Sequence, residues 1–208
     1  MNISQNKTKR FFAFILSVTM LFSFSICSFA EEADLKEALY QQYQKIVDKV
    51  NAETGNALPL SMKPYNEMKE EDWVSVEEFE KAAYALANAD FVVSDGTSSL
   101  PTTRSSGSAS KKVSSTMGQA SFEVIINGSF TTQYNTAIGR QIFMSCDSVT
   151  SASNTKGFTW SQIEYFPDRL DSGRTYQINV SGSMTYLGLV QNHIFSVEFY
   201  CNSQGAIS

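Results

Sequence analysis

His193 is the only histidine among the 208 residues of the chain, and this limits the chemistry that its side chains can perform. A serine or cysteine nucleophile needs a general base, normally histidine, that a third group holds in place. His193 stands between Asn192 and Ile194 in a predicted strand, so we interpret it as a polar strand residue and not as the base of a triad. The spacing of cysteine and histidine also fits no zinc site, and no other metal or cofactor is predicted.

Carboxylates offer a second route to catalysis, because paired acids hydrolyse glycosides without histidine. Glu198 alternates with the apolar residues Val197 and Phe199, and this period of two places its side chain on the solvated face of a strand. Glu164 could line a groove with it. A glycoside hydrolase-like enzyme is therefore one interpretation, although we favour a protein without catalysis.

Aromatic residues beside amides and acids suggest a ligand platform, since sugar rings stack on aromatic faces while polar groups bind their hydroxyls. The same aromatic residues also fill the cores of β-sandwiches, and this alternative stays open. The residues that we predict to bind a ligand are Trp160, Tyr165, Tyr186, Glu198 and Tyr200.

Two cysteines, Cys146 and Cys201, follow residue 30. A period of two places Cys201 on the face of Phe199 and Cys146 on the face of Met144, so both thiols are expected in the core. Paired cysteines in an exported chain favour a disulfide, which we predict between Cys146 and Cys201. Two buried free thiols that act as small apolar side chains are the alternative.

The elements that must position these residues begin after a predicted signal peptide at residues 1–30. A cationic start around Lys9 precedes an apolar run, and Ser28 and Ala30 supply the small residues that a signal peptidase recognises. The run is shorter than the roughly 20 residues that span a bilayer. We therefore expect a secreted, extracellular protein that has no stable membrane insertion once the signal is removed.

Charge divides the rest of the chain into two parts. Residues 31–95 hold 15 acids and 6 lysines, whereas residues 96–208 hold 6 acids and 7 bases. An acidic protein repels phosphate backbones, so nucleic acid is not an expected partner.

The acidic part, residues 31–93, is predicted to be a helical module. Apolar residues recur at helical spacing from residue 32 to about residue 50. Ser75 and Glu78 form a capping box for a second helix, which is expected to end near Asn88. The residues that it should bury are Phe79, Ala82, Ala83 and Leu86.

Serine, threonine and glycine dominate residues 94–119, which we predict to be a linker or mobile loop. From residue 120 to residue 208 the apolar period changes to two, and Asn127 with Gly128 suggests a tight hairpin turn. The predicted strands are 122–127, 129–135, 140–149, 158–166, 175–186 and 190–200. The fold class is therefore α+β, with a two-helix module followed by an antiparallel β-sandwich or open barrel of about six strands.

Short motifs near the ends of these strands carry a family resemblance. They are Gly139-Arg140, Arg174-Thr175-Tyr176 and Val197-Glu198-Phe199-Tyr200. With them the chain resembles small exported proteins of Gram-positive bacteria that have a C-terminal β-domain of unknown function. The resemblance covers the predicted β-domain and implies no activity. The order Cys146, Trp160, Cys201 is also similar to that of immunoglobulin domains, but Phe199 stands where their tyrosine corner would be.

We therefore expect an exported binding or interaction module for a glycan or a protein ligand. Besides the glycoside hydrolase-like enzyme, a second alternative is a β-domain that a removable helical pro-segment masks, because the acidic module and the linker differ in composition from the strands. The oligomeric state does not follow from these patterns.

Overall fold

The computed structural model describes residue 32 and residues 34–98, 106–117 and 120–208. The signal peptide predicted for residues 1–30 lies outside the described residues. The chain divides into two units, Met1–Tyr43 and Gln44–Ser208. The described residues of the first unit are helical, and the second unit contains the strands described below.

Two α-helices form as predicted. Helix α1 covers residues 34–54, and Gly55 follows it with a φ of 59°, the left-handed conformation that ends many helices and favours glycine. Helix α2 covers Val76–Ala87, and the hydroxyl of Ser75 accepts a hydrogen bond from the amide of Glu78 at its start. The residues that α2 buries are Phe79, Ala82, Ala83 and Leu86.

In the part of the chain that the structure describes, eight strands form two antiparallel sheets, which confirms the α+β fold with more strands than the six expected. The strands are β1 Ser61–Met62, β2 Val92–Ser98, β3 Ser106–Met117, β4 Ala120–Asn135, β5 Arg140–Ala152, β6 Phe158–Leu170, β7 Thr175–Tyr186 and β8 Leu189–Tyr200. Sheet A has the order β1-β8-β7-β6, and sheet B has the order β2-β3-β4-β5. Short 3-10 helices occur at Tyr65–Glu67, Glu70–Asp72 and Asp171–Gly173.

The predicted linker or mobile loop at residues 94–119 is wrong for the part that the structure describes, because most of that part belongs to β2 and β3. Strand β3 pairs with both β2 and β4, so backbone hydrogen bonds on two sides hold it inside sheet B. Its inward row contains a lysine and a serine, so the sequence lacks the regular alternation of apolar and polar residues that predicts a strand. The inward residues are Ala109, Lys111, Val113, Ser115 and Met117.

Strand β4 is continuous, so the predicted hairpin turn at Asn127 and Gly128 is also wrong. A Cβ built on Gly128 would lie 2.5 Å from the ring of Phe130 and 3.3 Å from the ring of Phe199. The glycine therefore leaves space for two aromatic rings in the core and does not form a turn.

The inward rows of the two sheets form the core of a β-sandwich. Strand β3 contacts β8, and β5 contacts β6 and β7. Aromatic rings fill the space between the sheets, with the ring centroid of Phe130 lying 4.9 Å from that of Phe143 and 5.0 Å from that of Phe199. Because β3 faces β8 and β2 is the edge strand beside β3, β2 lies opposite the edge of sheet A that adjoins β8.

The segment between the two helices joins sheet A. Strand β1 pairs with the start of β8, and the amide of Lys63 donates to the carbonyl of Gly188 at 2.9 Å. The side-chain amide of Gln191 donates to the carbonyl of Leu58 at 2.9 Å. The segment between the helices is therefore part of sheet A, together with β6, β7 and β8.

Cys146 and Cys201 are free thiols, so the predicted disulfide is wrong. Register shifts between β4 and β5 change the phase of β5, in which Phe143 is buried and Met144 is 56% exposed. Arg140, at the start of β5, donates to the carbonyl of Cys201 at 2.6 Å, whereas Cys146 lies roughly 20 Å farther along that strand. A disulfide requires the two Cα atoms to lie within about 7 Å of each other.

Candidate functional site

The candidate site is the outer face of sheet A, where side chains of β6, β7 and β8 point away from sheet B. The β7–β8 register has no shift, so the inward residues of these strands, such as Ile178 and Val197, are buried while alternate residues face outward. The outward residues of β7 and β8 are Gln177, Asn179, Ser181, Ser183, Asn192, Ile194, Ser196, Glu198 and Tyr200.

Three large apolar side chains are exposed on β6 and β8. Ile163 is 62% exposed, Phe166 is 58% exposed and Ile194 is 64% exposed. Ile163 lies where the β6–β7 register shifts, and Phe166 pairs with Asn179 of β7. We call these three residues the apolar patch. Phe166 and Ile194 lie on either side of β7, whose outward residues Asn179 and Ser181 stand between them. Exposed apolar side chains of this kind can contribute to an interaction site.

Three carboxylates accompany the apolar patch on the outer face, namely Glu164, Asp168 and Glu198. Arg169, next along β6, turns toward sheet B, where its guanidinium donates to the carbonyl of Phe143 at 3.3 Å. Among the described strand residues of the outer face there is no lysine or arginine. The face therefore combines exposed apolar side chains on β6 and β8 with negative charge.

Tyr200 lies at one end of the face and is 46% exposed. Its phenol donates to the carboxylate of Glu198, and this hydrogen bond is the main cause that raises the pKa of Tyr200. The ammonium of Lys111 lies 5.8 Å from the centre of the Tyr200 ring and also donates to Asp95 on β2. The ring is thus held between a carboxylate and a cation.

Trp160 does not belong to the outer face. Its side chain is 8% exposed, its indole Nε1 donates to the hydroxyl of Ser151 at 2.8 Å, and its ring stacks on Phe195 with a centroid distance of 5.1 Å. A buried indole with a hydrogen-bond partner is a core residue. The structure therefore places Trp160 in the core and not on a ligand platform.

Tyr165 and Tyr186 are half-buried, and they also lie apart from the outer face. Tyr165 belongs to the inward row of β6 after the register shift. Tyr186 stacks on Phe158 at a centroid distance of 4.2 Å and lines a cavity of about 620 Å³ beside α2. Of the five residues that the sequence predicts to bind a ligand, the structure brings together only Glu198 and Tyr200.

The apolar patch is not among the residues that the sequence analysis singles out. Ile194 has a detectable signal, because it stands between the polar residues Asn192 and Ser196 in the outward row of β8. Ile163 and Phe166 have none, because the phase of β6 changes at its register shift and a local pattern does not reveal such a shift.

The groups considered for catalysis are not brought together. Glu164 and Glu198 lie two strands and four residues apart, which is about 16 Å at normal strand spacings and exceeds the roughly 5–10 Å between glycosidase carboxyl groups. His193 points inward against the rings of Phe91 and Phe195, and burial lowers its pKa to about 4. Within the described ranges, no three His, Cys, Asp or Glu side chains are grouped to hold a metal ion.

Comparisons with family models, curated proteins and solved structures give no match to this chain. The geometry and charge of the outer face are therefore the basis for a functional proposal. Among the residues that the structure describes, no helix has both the length and the apolar character needed to cross a membrane.

Proposed function

We propose that this chain is an exported, non-catalytic binding module whose ligand is a protein that contacts the outer face of sheet A. The observation that carries the proposal is the exposure of Phe166 and Ile194 on the outer face, with Ile163 exposed at the bulge of β6, beside three carboxylates. Exposed apolar surface is unfavourable in water, and a partner that covers it gains the corresponding free energy.

The chemistry of the face favours a protein over a glycan. Sugar rings stack on aromatic rings, whereas two of the three patch residues, Ile163 and Ile194, are aliphatic. Branched aliphatic side chains pack well against other apolar side chains, and the carboxylates favour lysine or arginine on the partner. The expected partner therefore presents apolar residues beside basic ones.

Export is supported by the signal peptide predicted for residues 1–30 and by the resemblance to exported Gram-positive proteins. The alternative of a removable pro-segment receives less support, because β1 pairs with β8 and β2 pairs with β3. Cleavage before residue 94 would remove one strand from sheet A and the start of another from sheet B.

Selection from two libraries tests the proposal. Residues 31–208 are immobilised and exposed to phage that display random peptides, and the labelled protein is applied separately to a glycan array. We expect the protein to select peptides rich in apolar and basic residues. Phe166→Asp and Ile194→Asp should lose this selection, because each adds a carboxylate where an apolar contact is needed. Met144→Asp is the matched control, since Met144 is an exposed apolar residue on sheet B.

Each outcome has a defined meaning. Selective binding to glycans would replace the protein ligand with a carbohydrate. Unchanged peptide selection by Phe166→Asp and Ile194→Asp would show that the outer face is not the site. Failure of the wild-type protein to select anything from either library would reject a binding function.

A further inference from the structure

Among the described residues, sheet A is one strand short where it faces β2. Sheet B contains four strands of at least 7 residues, whereas β1 in sheet A has 2 residues. Because β3 contacts β8, β2 lies opposite the place where a further strand would pair with the free edge of β8. Strand β1 occupies only one end of this place. We call the remainder the open strand position.

Alternate residues of β8 direct their backbone groups toward the open strand position. At the far end of β8, Tyr200 and Ser208 exchange two backbone hydrogen bonds of 2.9 and 3.1 Å, whereas the amide of Cys201 donates to Arg174 on the β7 side at 2.8 Å. Successive residues of a strand point their backbone groups in opposite directions, and the β7–β8 register is unshifted. Even-numbered residues of β8 therefore face the edge.

Four edge-facing residues lie between β1 and Ser208, and none of them has an edge-side backbone partner among the described residues. They are Asn192, Ile194, Ser196 and Glu198. The other edge strands are interrupted, since β6 contains Pro167 and a register shift, and both β5 and β2 pair with shifted registers. Such interruptions are how sheet edges are normally protected from pairing. The β8 edge has a regular register and is not protected in this way.

Strand β2 shows that the open strand position is also uncovered on its inner side. Val93 and Asp95 lie on the inward row of β2, opposite Val113 and Lys111. Val113 and Lys111 are buried, yet Val93 is 45% exposed and the side chain of Asp95 is 82% exposed. No strand of the described residues covers these two side chains.

We propose that an extended segment of a partner protein adds to the β8 edge as an antiparallel strand that pairs with residues 192–198. This inference rests on the proposed function in that the ligand is a protein. Strand addition takes its affinity from backbone hydrogen bonds and its specificity from alternate side chains. The inward side chains of the segment should be apolar in order to cover Val93, and the outward ones should include a base beside Glu198.

Both ends of β8 are already paired, and this favours a short peptide segment over a second copy of the chain as the occupant of the open strand position. Residues of β1 pair with Leu189 and Val190, and Ser208 pairs with Tyr200, so the space between them holds roughly seven to nine extended residues. Strand β8 is 12 residues long and continues into its own pairing with the C-terminal residues. A second β8 placed in this position would therefore collide with β1. Both flanking segments run antiparallel to β8, so the same direction is assigned to the partner segment.

A synthetic peptide probes the backbone pairing in the unchanged protein. The probe is a heptapeptide of alternating lysine and valine with acetyl and amide ends, titrated into residues 31–208 by calorimetry. In an antiparallel pair, the peptide residues whose side chains share the outer face with Ser196 direct their N–H groups to β8. Methylation of the lysine backbone nitrogens should therefore weaken binding at least about tenfold, whereas methylation of the valine nitrogens should leave it within about twofold.

Substitutions at Ser196 probe the same pairing from the side of the protein. Ser196→Pro removes an N–H that faces the edge and spares the backbone hydrogen bonds to β7, although it loses the hydroxyl that accepts from Gln177. Proline is tolerated on edge strands. Ser196→Ala is the matched control, because it loses the same hydroxyl and keeps the N–H. We expect at least about tenfold weaker peptide binding for Ser196→Pro and a change within about twofold for Ser196→Ala. Circular dichroism checks the fold, and Asn192→Pro repeats the test at the other end of the edge.

Equal affinities of the two methylated peptides, or full binding by folded Ser196→Pro, would overturn the strand-addition site. A concentration-dependent dimer that Ser196→Pro abolishes would assign the edge to a second copy and also overturn it. If Phe166→Asp loses library selection and Ser196→Pro keeps it, strand addition at the β8 edge is contradicted. The proposed binding of a protein at the outer face is then supported. A further outcome combines weaker binding of the lysine-methylated peptide with normal library selection by Phe166→Asp. This result would support strand addition at the β8 edge and would contradict binding at the outer face.

Discussion

The indole of Trp160 lies against Gly182 on the neighbouring strand, so that a Cβ built on the glycine would stand 2.3 Å from Cζ2 of the ring. Gly182 belongs to the inward row of β7, in which Val180 and Met184 are large and fully buried. The missing side chain therefore provides the space that the indole occupies between the sheets.

Gly182→Ala should destabilise the fold by about 1–3 kcal/mol, because an added methyl group forces the indole or the backbone to move. Urea unfolding measures the change. In Trp160→Phe the smaller ring leaves space, so Gly182→Ala should cost less in that background than in the wild type. Equal costs in the two backgrounds would show that the indole and the glycine do not restrict each other.

Stability should depend on pH through His193. Burial lowers the pKa of His193 from its ordinary value of 6.5 to about 4, so the unfolded chain takes up a proton at a higher pH than the folded chain. The stabilising contribution is complete above about pH 6.5 and is lost as the pH falls toward about 4, with a total loss of about 3 kcal/mol. Urea unfolding of the wild type and His193→Gln across this range isolates the contribution. Parallel pH profiles of the two proteins would contradict the burial of the ring.

The elements that the sequence predicts correctly have an uninterrupted period. The sequence predicts a strand at residues 175–186, and the structure has β7 at Thr175–Tyr186, because every inward position except Gly182 is apolar. Helix α2 is predicted equally well, since the apolar face and the cap at Ser75 agree. Local pattern and tertiary packing specify the same structure in these elements.

The failures have separate physical causes. Strand β3 lacks the apolar alternation because Lys111 faces inward, where its ammonium reaches Asp95 at the sheet edge. Gly128 resembles a turn residue but makes room for Phe130. The shifted registers of β5 place Met144 in solvent, and a sequence period cannot show where a strand bulges.

The site is predicted only in part for a related reason. Glu198 and Tyr200 lie on a strand with a regular register, so the period of two assigns them to the outer face. The apolar patch combines Ile163 and Phe166 of β6 with Ile194 of β8, and β7 lies between them. Their proximity depends on strand order, which local spacing does not encode.

Cys146, which is half-buried, and Cys201, which is buried, should both react as free thiols. Burial raises the pKa of Cys146 to about 11 and also raises the pKa of Cys201, and only the thiolate reacts rapidly with alkylating reagents. Residues 31–208, which contain Cys146 and Cys201 but not Cys27, should therefore take up iodoacetamide slowly near pH 8 when folded and should gain two alkyl groups without reductant when unfolded. Intact mass spectrometry counts the groups. Alkylation that requires prior reduction would instead establish the bond between Cys146 and Cys201.

Asp72 anchors the segment that carries β1. Its side chain is 5% exposed, and its Oδ2 accepts hydrogen bonds of 2.9 Å from the ammonium of Lys63 and from the amide of Lys69. Asp72→Ala should destabilise the protein by about 2–4 kcal/mol, because a largely buried ammonium and an amide lose their acceptor. Lys63→Met should reduce that cost, and a double-mutant cycle by urea unfolding measures the coupling.

Hydrogen exchange can then locate the effect of Asp72→Ala. The amide of Lys63 donates to the carbonyl of Gly188, so this amide should exchange faster once the anchor is lost, while amides of β7 remain protected. Because β1 closes one end of the open strand position, its loosening should also admit longer alternating lysine–valine peptides to the β8 edge. Unchanged exchange at Lys63 in the variant would show that β1 is held by its pairing with β8 alone.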